Sequence, residues 1–210
     1  MDNLILRHVT KTKTTDAYTV RRGERLILVY VVHASKSMSL SSSVTLSGEG
    51  AEALILGAIV GSGSGDVVIT TLQHHQAPDT TSNLLIKSAM TGESKCRYEG
   101  TILVDKPAQK TNAYQRNENL LLDTTAHATS KPALEILAND VRCTHGAVVK
   151  NLDEEELWYL ATRGIPKTSA RGMMAEGFLT STVSAVSDEK IRLRIEKDIH
   201  RLLTKGGIYG

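Results

Sequence analysis

Two side chains in this sequence, Cys143 and His145, are of the types that hold soft metals best. They form a C-x-H spacing inside the stretch 130–172, which changes character midway. Up to Lys150 the stretch reads as strand, with Leu134, Ile136, Val141, Val148 and Val149 among turn residues. From Asp153 it reads as helix. Alternate residues of a strand share a face, so thiolate and imidazole would lie side by side. Iron in a sulfide cluster, or zinc, suits that pair. Two ligands do not close a four-coordinate site. A partner surface, a second copy of the chain or inorganic sulfide would have to supply the rest. Spacing alone also admits a buried thiol beside a hydrogen-bonded imidazole, and favours that plainer reading.

The other chemistry-bearing residues read as structural. His74 and His75 are adjacent, so on a strand they face opposite ways and do not share a metal; with Gln76-Ala77-Pro78 they read as a turn. Arg97 beside Cys96 could lower its thiol pKa, but a core thiol is the better reading. His33, His127 and His200 have no partners at useful spacing. Gly61-Ser62-Gly63-Ser64-Gly65 lacks the Gly-Lys-Ser/Thr ending of a phosphate loop and opens no helix, so it reads as a turn. No G-x-S-x-G, H-E-x-x-H or carboxylate pair in a helical context occurs. These residues do not make a self-contained enzyme.

The elements that must position Cys143 and His145 are short strands. Apolar β-rich runs lie at 4–9 and 25–34. The second is nearly continuous, which implies cover on both faces. Residues 35–47 suggest a weak strand, and residues 51–74 suggest two strands about the glycine-rich turn. Runs at 83–89, 96–104, 119–123, 134–137 and 146–149 continue the series. At least nine strands with no amphipathic helix before residue 150 fit a sandwich, a barrel or a β-solenoid. A faint echo of 82–86 in 118–122, 36 residues apart, would be one or two rungs of a solenoid with stacked asparagines. After Leu152 the period becomes helical. Asp153 and Glu156 mark one helix start, Thr168 lies near a second, and Ser187 opens a third. About 60 residues of helix have too little core to stand alone. The domain reading is therefore 1–150 for the β core and 151–210 for a helical subdomain that packs on it or on another protein.

Composition narrows the classes. The 25 basic and 23 acidic residues are interspersed, so no basic stripe points to nucleic acid and no basic block to a membrane surface. Two cysteines make no disulfide framework and suit a reducing, cytoplasmic compartment. No apolar run approaches the ~20 residues of a membrane span. The single Trp and single Phe fit a flat stack filled by Val, Ile, Leu and Ala.

Several strings then become recognisable. They are A-Y-Q-R-N-E-N-L-L-L at 113–122, P-A-L-E-I at 132–136, N-D-V-R-C-T-H-G-A at 139–147 and L-D-E-E-E-L-W-Y-L-A-T-R-G-I at 152–165. Together they closely resemble the core of the SufB/SufD family of iron–sulfur cluster assembly scaffolds. His75 to Thr80 with Ser82, and Tyr98-Glu99-Gly100, resemble the family's upstream pattern. The strong likeness spans about 75–180, and a weaker one reaches back to about 20. The C-T-H-G-A wording is closer to SufD.

The resemblance implies a right-handed parallel β-helix followed by a small helical subdomain, which selects the solenoid from the open alternatives. It implies a scaffold that is not itself an enzyme. Such a scaffold pairs through its β-helix with a SufB/SufD-type paralogue or with itself. It binds a SufC-type ABC ATPase through the C-terminal helices and holds an iron–sulfur cluster only transiently. The family's functional histidine falls on His145. Carrying the SufB-type interface cysteine onto Cys143 is the looser step. A cysteine matching the SufB sulfur-entry position is not found, and the family's N-terminal helical region has no counterpart in these residues. The alternative function is a structural adaptor that recruits the ATPase without binding a cluster.

Overall fold

The computed structural model describes residues 2–209. Eleven strands come first: β1 (Asp2–Val9), β2 (Lys13–Val20), β3 (Arg25–Ala34), β4 (Met38–Leu46), β5 (Glu52–Gly61), β6 (Asp66–His75), β7 (Thr81–Met90), β8 (Lys95–Val104), β9 (Thr111–Leu121), β10 (His127–Ile136) and β11 (Val141–Asn151). Helices α1 (Glu154–Thr162), α2 (Lys167–Thr180) and α3 (Glu189–Lys205) follow, with a 3₁₀ turn at Ser181–Val183. Odd strands form one sheet in the order β1-β3-β5-β7-β9-β11, even strands a second in the order β10-β8-β6-β4-β2. Every pairing is parallel. Successive strands alternate between sheets, so the chain winds as a β-solenoid with two strands per coil and about 30 residues per turn.

The strand period of two explains which residues lie inside. In the odd sheet the register stacks Leu28, Ile55, Leu84, Gln115 and His145 in one column facing the lumen. Leu26, Leu40, Val44, Ile69 and Tyr98 fill the lumen from both sheets. The continuous apolar run of β3 has the expected second role: Ile27, Val29 and Val31 point outward and are covered by the helices. Ala175 and Leu179 of α2, then Ile195, Ile199 and Leu203 of α3, complete that outer core. The helices are thus a lid on the odd sheet and share a core with it. The first helix is capped at Asp153 as expected, and the third at Asp188, one residue after the expected Ser187. Asp153 Oδ1 accepts from the Glu155 amide at 2.9 Å, and Asp188 Oδ1 from the Ile191 amide at 3.0 Å.

Three expectations change in detail. β2 carries only Ala17, Tyr18 and Val20 as apolar residues and is absent from the apolar runs; it exists because it closes the first coil beside β4. β9 begins at Thr111 rather than 119, because its inward positions are polar. The faint 36-residue echo is not a rung. Asn83 pairs with Tyr114 and Asn119 with Ser88, a step of one coil that the echo overshoots. Thr182, Val183 and Val186 continue the helical spacing past the end of α2. There Thr180 Oγ1 bonds back to the Glu176 carbonyl at 2.8 Å and the chain tightens into the 3₁₀ turn.

Candidate functional site at the open end of the solenoid

The last coil, β10 and β11, has a neighbour on one side only, so each strand presents a free edge. The inward column of β11 carries Cys143 over Ala113, His145 over Gln115, Ala147 over Asn117 and Val149 over Asn119. The C-x-H spacing therefore places both side chains on the lumen face of a terminal strand. Two residues of strand rise separate them, about 7 Å between α-carbons. Cys143 is partly buried and packs with Ile102, Val104, Ala108 and Ala113. Burial pushes its thiol above the ordinary value, against a smaller downward effect of a hydrogen bond with the Ala113 backbone. It is a thiol at neutral pH, and metal binding would release its proton. His145 is exposed.

Apolar side chains surround the pair without cover. Leu134 (37 % exposed), Ile136 (38 %), Leu137 (60 %), Val148 (39 %) and Val149 (47 %) all lie on the last coil or its turn. Beneath them the lumen turns polar. Gln73 Nε2 donates to Ser82 Oγ at 2.6 Å, and His75 Nε2 shares that hydroxyl at 2.8 Å. Ser88 donates to Asn119 Oδ1 at 2.6 Å, and Asn119 Nδ2 to Asn117 Oδ1 at 2.7 Å. Gln115 Nε2 reaches the Gly100 carbonyl at 3.1 Å, while its own Oε1 and the buried Ser130 Oγ have no protein partner. Sequence reasoning did not place these residues in the lumen, and it read His75 as part of a turn where the structure makes it the last residue of β6. Their signal was present, since Gln115, Asn117 and Asn119 recur at the strand period, but polar alternation usually marks a solvent face.

The remaining candidates separate as follows. Cys96 is buried in the lumen, where desolvation pushes its thiol up to about 12. His75 is buried, its imidazole held down at about 4 by desolvation, while His74 faces outward to Asp105 at 3.1 Å. The glycine-rich stretch is the β5–β6 turn, with Gly63 at φ +60° and the Ser62 amide bonded to the Ala34 carbonyl. His33 and His200, without partners in sequence, gain Ser62 and Glu176 through the fold. Among the described residues no group of three or more His, Cys, Asp or Glu side chains is placed to hold a metal, so Cys143 and His145 are at most part of a ligand set.

These features define a parallel β-solenoid with one open, apolar-rimmed end carrying a thiol and an imidazole, and a helical lid on one sheet. The family description that matches the chain is "SUF system FeS cluster assembly, SufBD core domain", over residues 7–178. The chain belongs to the SufBD family. It is 34 % identical over 137 residues to iron–sulfur cluster assembly protein SufD of Escherichia coli, covering 65 % of this chain and 32 % of that protein. It is 29 % identical over 197 residues to an iron–sulfur cluster assembly SufBD family protein of Mycobacterium bovis, covering 89 % and 50 %. Against the chloroplastic protein ABCI7 of Arabidopsis thaliana the identity is 35 % over 106 residues, covering 50 % and 22 %. The chain thus spans half or less of the length of these relatives. No helix among the described residues is long and apolar enough to cross a membrane.

Proposed function

We propose that this chain is a non-enzymatic scaffold subunit in iron–sulfur cluster assembly. It pairs end to end, through β10 and β11, with a second copy or a SufB/SufD-type paralogue. Cys143 and His145 then contribute ligands to a cluster that is cargo. The observation that carries this reading is the open end itself. An incomplete ligand pair, two unpaired strand edges and a rim of exposed apolar side chains coincide on one terminal coil. A second chain laid against that coil would cover the rim, satisfy the edges and double the number of ligands.

The helical lid suits the second partner, a SufC-type ABC ATPase. Trp158 (71 % exposed) and Tyr159 (55 %) on α1 stand out from a chain otherwise poor in aromatics, as does Met173 on α2. Exposed aromatics of this kind are the usual anchors of a docking surface. Because the lid shares its core with the odd sheet, a pull on the helices would reach the strands that end in the seam.

Anaerobic reconstitution with ferrous iron and sulfide, read by visible absorption, tests the cluster role. Cys143→Ala with His145→Ala should lower the bound iron and sulfide to background. Full loading of that double variant would refute the ligand assignment and leave the adaptor reading. Trp158→Ala should weaken co-purification with the ATPase without changing reconstitution.

A further inference from the structure

A second site lies at the other end of the molecule. A cleft of 260 Å³ opens where β1 and β3 end, between the turns that follow them and the last turn of α3. His8, His33, Lys36 and Lys205 line it, contributed by three separate places in the chain: β1, the end of β3 with its turn, and α3. We propose that this cleft binds a small organic phosphate, independently of the seam reading.

Charge selects the ligand. No carboxylate lines the cleft. One carboxylate, that of Asp198, touches a lining residue: it is held by His8 Nε2 at 2.8 Å and by Arg201 at 2.9 Å. Among the described residues neither Lys36 nor Lys205 has an ion-pair partner. His33 is anchored through Nε2 to Ser62 Oγ at 2.9 Å, and Lys205 acts on its imidazole electrostatically. Two ammonium groups without an ion-pair partner thus converge on the space, beside the imidazole of His33 and that of His8, which is already paired with Asp198. Lysine is an effective phosphate binder as a point charge. A phosphoryl group carries nearly two negative charges at neutral pH, close to what the two lysines supply.

The remaining wall selects the rest of the ligand. Val31, Met38 and Leu202 form an apolar side, so a bare inorganic ion would leave that side unused. The volume is small for a ligand site, which fits a monophosphate on a compact body better than a nucleotide. No residue of the Cys143–His145 coil takes part, so the two sites can be tested separately.

The experiment titrates the full chain with phenyl phosphate, inorganic phosphate and phenol, following the imidazole resonances of His8 and His33 by NMR. Phenyl phosphate should give saturable shifts at both, at least tenfold tighter than either control. Lys36→Gln and Lys205→Gln should each weaken binding by tenfold or more. Both lysines are exposed, so the variants should keep the parent's circular dichroism and melting temperature. Absence of a saturable shift, equal binding of phenol, or unchanged affinity in both variants would overturn the site. Equal binding of inorganic phosphate would overturn the assignment of an organic ligand.

Discussion

Changing Leu137 and Val149 to lysine tests the seam directly. These side chains are 60 % and 47 % exposed, so most of their apolar surface is still in contact with water. Burying a whole aliphatic side chain contributes ~1.5–3 kcal/mol. The exposed fractions correspond to roughly 1–2 kcal/mol for Leu137 and about 1 kcal/mol for Val149. In an isologous seam each occurs twice, giving roughly 4–6 kcal/mol in all before association entropy is subtracted. The double variant would lose this contribution and bury four ammonium groups without partners. Its dissociation constant should rise at least 100-fold, since 1.4 kcal/mol is a factor of about ten. Sedimentation velocity across a concentration series would measure it. The melting temperature should scarcely move, because surface changes away from special features stay within about 0.5 kcal/mol. A double variant that associates as tightly as the parent, or a parent that stays monomeric throughout, would refute self-pairing through this end.

Other predictions follow from the same packing. Asp123 accepts from Thr91 Oγ1 at 2.5 Å, the Gly92 amide at 2.7 Å and Arg171 at 2.8 Å, which hold its carboxyl at about 2 despite partial burial. Its contribution is present above the ordinary carboxylate value near 3.8 and is lost as pH falls through about 2; Asp123→Asn should cost about 1–2 kcal/mol at pH 7 in urea titration, discounted for exposure, and flatten stability between those limits. Ile195→Ala removes a fully buried side chain where α3 meets the odd sheet and should cost ~2–4 kcal/mol in the same assay. Gly100→Ala would drive a methyl into Tyr98 and Gln115 and should destabilise by about 1–3 kcal/mol, whereas Gly177→Ala, with open space inside α2, should stabilise by about 0.5–1 kcal/mol. A thiol reagent should label Cys143 in the folded chain and Cys96 only on unfolding.

What the sequence revealed depended on which face of each strand did the talking. β3 was legible because both its faces are apolar, one against the lumen and one against the helices. The first and third helix starts were legible to within one residue because Asp153 and Asp188 act locally on the next turn. β2 and the first half of β9 were hidden, since their stability comes from neighbours one coil away rather than from their own pattern. The lumen network of Gln73, His75, Ser82 and Asn119 was hidden for the same reason: each residue is satisfied by a partner from another strand or coil. Cys143 and His145 stood out by type and spacing. Their position on a terminal strand depends on the chain turning into α1 after Asn151 instead of laying another coil, and only the fold shows that.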